Sequence, residues 1–425
     1  MKAEILTIGD ELLRGEIIDS NKAVLSERLL RLDIETRFHT SVRDDPADME
    51  DAFRRAAGRA DVVLVSGGLG PTRDDLTTEV LAATFGRKLV LDPKSLEGLR
   101  AFYASVGREM APNNEKQAWF PEGAEVLPNP IGTAPGFMLG VGSVAFFSLP
   151  GVPRELVRML DEQVLPRIAA RRETREEVVR ARLLRTFGMG ESNLDDVLKD
   201  IAPSGDVTLG FRTAFPDNYL RPLARAKSAA EADAKLARVC DAIRARLGLL
   251  VYGEGDETME RVAGALLRAQ HKTVAVAESC TGGLLAERIS SVPGASDYLL
   301  GGIVAYANAA KEALLGIPRS LLEREGAVSE PVARQMAEQV RARFGADVGL
   351  STTGISGPTG GTPDKPVGLV HVALADAAGT HADHFVFPLD RERHRALTVQ
   401  LALDWVRRRM LGAPLDPPTI LRRKQ

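Results

Sequence analysis

Cysteine is almost missing from this chain. Of 425 residues only Cys240 and Cys280 are cysteines, and their wide separation excludes a disulfide scaffold and a cysteine-built zinc cluster. No apolar run approaches the roughly 18 to 20 residues needed to span a bilayer. The opening stretch Met1–Leu6 carries no signal-peptide core. A cytoplasmic protein without a membrane partner is the expectation. Excess charge is lacking too: 55 basic and 58 acidic residues leave a net charge of −3, too little to favour nonspecific nucleic-acid binding. The one arginine-rich stretch runs through Arg167, Arg171, Arg172, Arg175, Arg180, Arg182 and Arg185. It is interrupted by Glu173, Glu176 and Glu177 and has no stacking aromatics, so it reads as a solvated linker and strand edge.

What remains is an ordinary enzyme-like composition, 44% hydrophobic and 27% charged, on a chain longer than one core usually organises. Strand and helix patterns alternate at Glu4 to Ile8, Lys22 to Leu32, Pro46 to Ala57 and Val62 to Ser66, which favours a mostly parallel sheet. Loops at Gly67–Pro71, Asn129–Gly136 and Pro150–Pro153 are placed to converge on one crevice at the strand ends. Composition shifts after Pro166. A small α+β module follows, with strands at Ala181 to Thr186 and Val207 to Phe211 and a helix around Ala230 to Leu247. A third block returns to α/β alternation, with a helix at Met259 to Ala269 and strands at Thr273 to Ala277, Leu300 to Ala305, Asp347 to Thr352, Gly368 to Leu374 and His384 to Phe387. A helix from Arg391 to about Met410 closes it. The resulting division is 1–168, 169–253, 254–412 and a loose tail, 413–425.

The densest chemistry lies in the third block. Glu278-Ser279-Cys280-Thr281-Gly282-Gly283 sits between a strand and a helix starting at Leu284, where an oxygen nucleophile stands beside helix-start N–H groups that can cradle an oxyanion or phosphate. Serine needs a base, and no histidine motif lies near it; Lys311, desolvated, can take its proton. Tyr306, just past a strand and about one turn before Lys311, is placed to relay that proton or orient an amide. The bland alternative has Lys311 on the surface and Tyr306 in the core. Thr352–Gly361 adds hydroxyls and close backbone approach. Candidate substrate contacts here are Thr281, Gly282, Gly283, Asn308, Thr353, Gly354, Gly357, Lys365 and Arg391. Cys280 is the rival nucleophile, because a thiolate is intrinsically stronger than an alcohol.

In the first block, Gly67, Gly68, Gly70 and Thr72 form a backbone-rich cradle, and Asp10, Glu11, Asn21 and Gly136 are further candidates for the same crevice. Asp74 and Asp75 read either as ligands of a divalent cation or as residues favouring a helix N-terminus.

The strings ESCTGG, YANAAK, GAVSEPVA, TGISGPTGG, KPVG and FPLDRERHR, in that order, make Gly255 to Leu411 resemble the C-terminal domain of the CinA family (competence/damage-inducible protein A), the nicotinamide mononucleotide deamidases. The resemblance implies an α/β amidohydrolase domain without a cofactor that converts nicotinamide mononucleotide to nicotinate mononucleotide and ammonia. Ser279 matches the family's nucleophile, Lys311 its base, and Tyr306 and Thr353 its pocket hydroxyls. Ser356 stands where the family pattern TGIAGP has alanine. Lys2 to about Pro166 is similar to the family's molybdopterin-binding-like α/β domain. That likeness implies ADP-ribose pyrophosphatase activity with a divalent ion whose identity stays open among cobalt, nickel and magnesium, the first two favoured, assisted by potassium. By the same analogy the connector is KH-like and the protein a homodimer. The rival reading is a regulatory, competence-associated protein whose first domain only binds a molybdopterin-like or nucleotide ligand.

Overall fold

The apolar runs of the first 150 residues become a six-stranded sheet built from β1 (Ala3–Ile8), β2 (Thr36–Val42), β3 (Val62–Ser66), β6 (Glu125–Leu127), β7 (Gly136–Val141) and β8 (Val144–Leu149), in the order β2-β1-β3-β8-β7-β6. A side hairpin pairs β4 (Leu89–Leu91) with β5 (Trp119–Pro121). The computed structural model describes residues 1–171, 178–201 and 205–415. Arg172, Glu173, Arg175, Glu176 and Glu177 of the arginine stretch and residues 416–425 of the tail lie outside the described residues. Two compact units result, Met1–Arg180 with Ala224–Asp233 and Ala181–Leu223 with Ala234–Gln425.

In the first unit, β1 pairs in parallel with β2 and β3, and β3 with β8; β7 and β6 then run antiparallel. Strands β1, β3 and β8 are buried along their whole length. Alternate residues serve opposite faces: Val63, Val65 and Phe146 pack in one cluster with Phe53 and Phe137, whereas Val62, Leu64 and Phe147 pack in another with Leu25 and Leu156. Two buried faces explain why these strands read as continuous apolar runs rather than alternating ones. The parallel strand ends at Ile8 and Ser66 point to the same edge, where the glycine loop emerges.

The second unit begins with an antiparallel α+β module. After β9 (Val178–Ala181), a break at Arg182 and Leu183 separates β10 (Leu184–Thr186), which pairs with β12 (Asp217–Ala226) and β13 (Val251–Glu254); β11 (Val207–Ala214) lies beyond β12. Leu184, Leu220, Leu194, Cys240 and Ile243 form its core. Tyr252 donates to Asp217 Oδ2 at 2.6 Å, and Gln400 Nε2, on the closing helix Arg391–Met410, donates to Asp217 Oδ1 at 2.5 Å. Arg407 Nη2 of that helix donates to Leu249 O at 2.7 Å.

The last sheet has the order β15-β14-β16-β17-β18, from β14 (Val274–Glu278), β15 (Leu299–Val304), β16 (Val348–Gly354), β17 (Leu369–Asp376) and β18 (Gly379–Val386). The pairs β14–β15 and β14–β16 are parallel, the rest antiparallel. One face packs Val274, Val276 and Leu350 with Trp405; the other packs Ala275 and Ala277 with Val332 and Met336. Edge strand β18 starts five residues earlier than its apolar pattern indicates, because its exposed positions carry polar residues. No helix among the described residues is long and apolar enough to cross a membrane.

Candidate active site

Three parallel strands of the last sheet end together. Ser279 follows β14, Ala305 and Tyr306 follow β15, and Thr352 and Thr353 close β16, the edge at which α/β sheets collect ligands. The chain must turn sharply after Ser279 to start helix Leu284–Ser290, and Gly282 and Gly283 take the left-handed backbone with φ of 58° and 95°. Thr281 Oγ1 and Thr352 Oγ1 share a 2.7 Å hydrogen bond beneath the turn.

Lys311 is carried by helix Asn308–Leu315 and is 1% exposed. Its Nζ lies 3.1 Å from Ser279 Oγ, 2.8 Å from Ala305 O and 3.1 Å from Tyr306 O. Burial pulls the Lys311 amine below its ordinary value. A neutral amine donates two hydrogens to the two carbonyls and leaves its lone pair for the serine proton. Cys280, adjacent, is buried, and that burial pushes its thiol up to about 12, which keeps it protonated at neutral pH and unlike a reactive cysteine.

The helix-start N–H groups are not free as the sequence suggested. Glu278, fully buried, accepts from Gly283 N at 3.0 Å, Leu285 N at 3.0 Å and Ala286 N at 2.8 Å. A buried carboxylate demands such partners, and the helix supplies them. Among the described residues, the N–H groups of Cys280 and Thr281 have no hydrogen-bond acceptor. They remain available to an oxyanion.

Tyr306 is 57% exposed, neither a core residue nor a proton relay as placed. Its phenol oxygen accepts from Arg391 Nη2 at 2.9 Å, and only its carbonyl meets Lys311. Arg391 Nη1 donates to Gly357 O at 3.0 Å, so the guanidinium ties two loops together at the rim. Thr353 Oγ1 donates to Ala327 O at 2.8 Å and Lys365 Nζ to Glu325 O at 2.5 Å, which commits both to neighbouring backbone. Asn308 is an exposed first residue of its helix. Gly354 lies within β16, where a Cβ would approach Leu369 O to 2.6 Å, so close strand packing explains this glycine.

Glu278 and Arg395 carry roles that the sequence did not disclose. Arg395 Nε and Nη2 both donate to Thr281 O, at 3.1 and 2.7 Å. The signal available was spacing: Arg395 lies four residues after Arg391 on one helix face.

In the first unit a cleft of about 480 Å³ opens at the strand ends. Glu11, Asn21, Gly67, Gly68, Gly70, Asp74 and Asp75 all line it, with Thr133 and the Pro150–Pro153 loop. Gly68 has φ of 67°, and a Cβ there would overlap Thr77 Oγ1. Asn21 Nδ2 bridges Ser66 Oγ at 3.0 Å and Gly151 O at 2.8 Å. Three expected residues act elsewhere. Gly136 sits inside β7, where a Cβ would strike Ser148 O. Asp10 pairs with Arg14 and accepts from Asp44 N at 3.4 Å, and Thr72 N donates to Asp75 Oδ2 at 2.8 Å. Helix Thr77–Thr84 begins after both aspartates, so neither lies in its first turn. Among the described residues no group of three or more His, Cys, Asp or Glu side chains is arranged to hold a metal ion. The cleft carboxylates are thus not gathered into one ligand set, and as placed they do not fit a divalent ion held by protein side chains alone.

Fold and sites together define a multidomain α/β protein with a molybdopterin-binding-like first domain, a KH-like connector and a third domain with a strand-end serine and buried lysine. Family models match in the same order: a probable molybdopterin binding domain at residues 4–170, the damage-inducible protein CinA KH domain at 181–253 and the CinA C-terminal domain at 256–410. A CinA-like protein of Anaeromyxobacter sp. (strain Fw109-5) is 47% identical over 410 residues, covering 96% of this chain and 98% of that protein. One from Geobacter sulfurreducens is 44% identical over 414 residues, covering 97% and 100%. A crystal structure of a Thermoplasma acidophilum CinA protein of unknown function is 34% identical over 40% of this chain and 97% of its own, with a TM-score of 0.37. The chain belongs to the CinA family.

Proposed function

We propose that the second unit hydrolyses the carboxamide of nicotinamide mononucleotide to the carboxylate and ammonia. The observation that carries this reading is the buried Lys311 amine 3.1 Å from Ser279 Oγ with two carbonyls beside it. The neutral amine takes the serine proton as Oγ bonds to the amide carbon, and the carbonyl electron pair moves to oxygen. The Cys280 and Thr281 N–H groups stabilise that oxyanion. As the C–N bond breaks, the Lys311 ammonium returns the proton to the leaving nitrogen, releasing ammonia. Water, deprotonated by the same amine, then cleaves the acyl-serine ester. The test is ammonia release by purified protein: Ser279→Ala and Lys311→Ala each abolish it, and Cys280→Ala leaves much of it. Full activity in Ser279→Ala ends the assignment.

The first unit's cleft takes a ribose-bearing nucleotide, ADP-ribose by the family reading. What supports this is the cleft's backbone-rich glycine loop at strand ends. Cleavage to AMP and ribose 5-phosphate is the activity assigned to it, and a product assay with purified protein checks it. Tight nucleotide binding without products would instead favour a purely binding domain.

A further inference from the structure

We propose that the cleft of the first unit recognises ribose hydroxyls and that Gln117 is a residue selecting for them. This rests on the reading of that cleft as a nucleotide site. Gln117 is the penultimate residue of the helical segment Pro112–Ala118, lines the cleft and is 6% exposed. Its Nε2 donates to Leu69 O in the glycine loop at 3.3 Å, which orients the amide. The other end is left over: Gln117 Oε1 is buried and has no hydrogen-bond partner among the described residues. Buried acceptors are ordinarily paired, so an orphan beside a cleft marks a place where a ligand supplies the missing donor.

The surrounding wall narrows what that donor is. Six carboxylates line the cleft, those of Glu11, Asp19, Asp44, Asp74, Asp75 and Glu155, and none of the described lining residues is basic. Nearby amines are already engaged: Lys116 Nζ donates to Thr72 O and Asp75 O, and Lys22 Nζ pairs with one of the six, Asp19, at 3.3 Å, which leaves five carboxylates in excess. Such a wall accepts hydrogen bonds and repels anions. Asp75 stands against Gly70, where a Cβ would overlap its Oδ2, so a phosphate group belongs at the Gly68 and Leu69 end of the loop. Vicinal hydroxyls are neutral, donate to carboxylate and amide oxygens, and are the part of a nucleotide that acidic side chains ordinarily hold. Gln117 Oε1, beside the loop, meets a hydroxyl of the ribose nearest the phosphates.

The experiment measures calorimetric binding of full-length protein to ADP-ribose and to analogues lacking the cis-diol on one ribose or the other. Wild-type protein should bind one analogue about tenfold or more weakly than ADP-ribose, the effect of one lost hydrogen bond in a buried site. Gln117→Met should bind ADP-ribose about tenfold more weakly and lose that discrimination, with an unchanged melting temperature as the folding control. Wild-type protein that treats all three probes alike overturns the proposal without any variant. So does a Gln117→Met protein with wild-type affinity and discrimination. Wild-type protein that binds no ADP-ribose overturns the nucleotide reading itself, a distinct result.

Discussion

Glu278 and Ala286 are joined by a 2.8 Å hydrogen bond from the Ala286 N–H to the Glu278 carboxylate, and the same carboxylate holds Gly283 and Leu285. The last residue of β14 thereby fixes the start of the following helix and, between them, the turn bearing Ser279. Glu278→Ala strands three N–H groups, that of Leu285 buried and those of Gly283 and Ala286 half-buried. The expected cost is about 3 kcal/mol, from the price of unmade buried hydrogen bonds. Chemical denaturation of the second unit's transition checks it; a change below about 0.5 kcal/mol would contradict the bracing role.

Lys311 sets a pH dependence with a definite sign. Burial holds its folded value below the ordinary 10.5, so the folded state binds fewer protons than the unfolded state between those two values. Stability therefore rises with pH through that window, and below it the full cost of a buried ammonium is present. Activity, which needs the free amine, rises through the same lowered value. Lys311→Met should remove the stability slope together with the activity. A wild-type rate profile still climbing only near 10.5 would show an amine unaffected by burial.

Asp217 acts in the opposite sense. Burial raises its carboxyl from 3.8 to about 6, so the folded state binds more protons than the unfolded state between pH 3.8 and about 6, and stability falls as pH rises through that window. The raise corresponds to ~3 kcal/mol. Asp217→Asn should flatten the melting temperature against pH over this range. An unchanged slope would assign it to another group.

Tyr306→Phe separates two roles for the phenol. With that oxygen on Arg391 rather than on Lys311, kcat for ammonia release should stay within about threefold while KM rises, because one rim hydrogen bond is worth roughly 1 kcal/mol. A loss of kcat on the order of a thousandfold would place the phenol in the proton path.

Gly68→Ala tests the independence of the two chemistries. The added Cβ meets Thr77 Oγ1 at a backbone with φ of 67°, so the glycine loop must distort and nucleotide binding to the first unit should fall at least tenfold. Ammonia release should be unchanged. Parallel loss of both would show coupling.

Helices and buried strands were legible because periodicity and end signals agree: Val62–Ser66, Met259–Ala269 and Arg391–Met410 stand where their patterns place them. The juxtaposition of Ser279 with Lys311 followed from strand ends and one helical turn. What the pattern hid were partners distant in sequence. Nothing local says that Glu278 will occupy its own helix start, that Thr353 will spend its hydroxyl on Ala327 O, or that Gln117 will face a loop 48 residues away. The two aspartates after the glycine loop read equally as metal ligands or as first-turn residues of a helix, because the motif contains no record that the helix starts only at Thr77 or that Thr72 donates to Asp75.

Arg395 holds the Thr281 carbonyl from the final helix, the same helix that reaches Asp217 through Gln400 and Leu249 through Arg407. A protein shortened before that helix would lose this strut together with Trp405, which covers Val274, Val276 and Leu350. Inactivity after C-terminal trimming would then report a bared sheet face, and added guanidinium ions would not restore it as they would a missing charge alone.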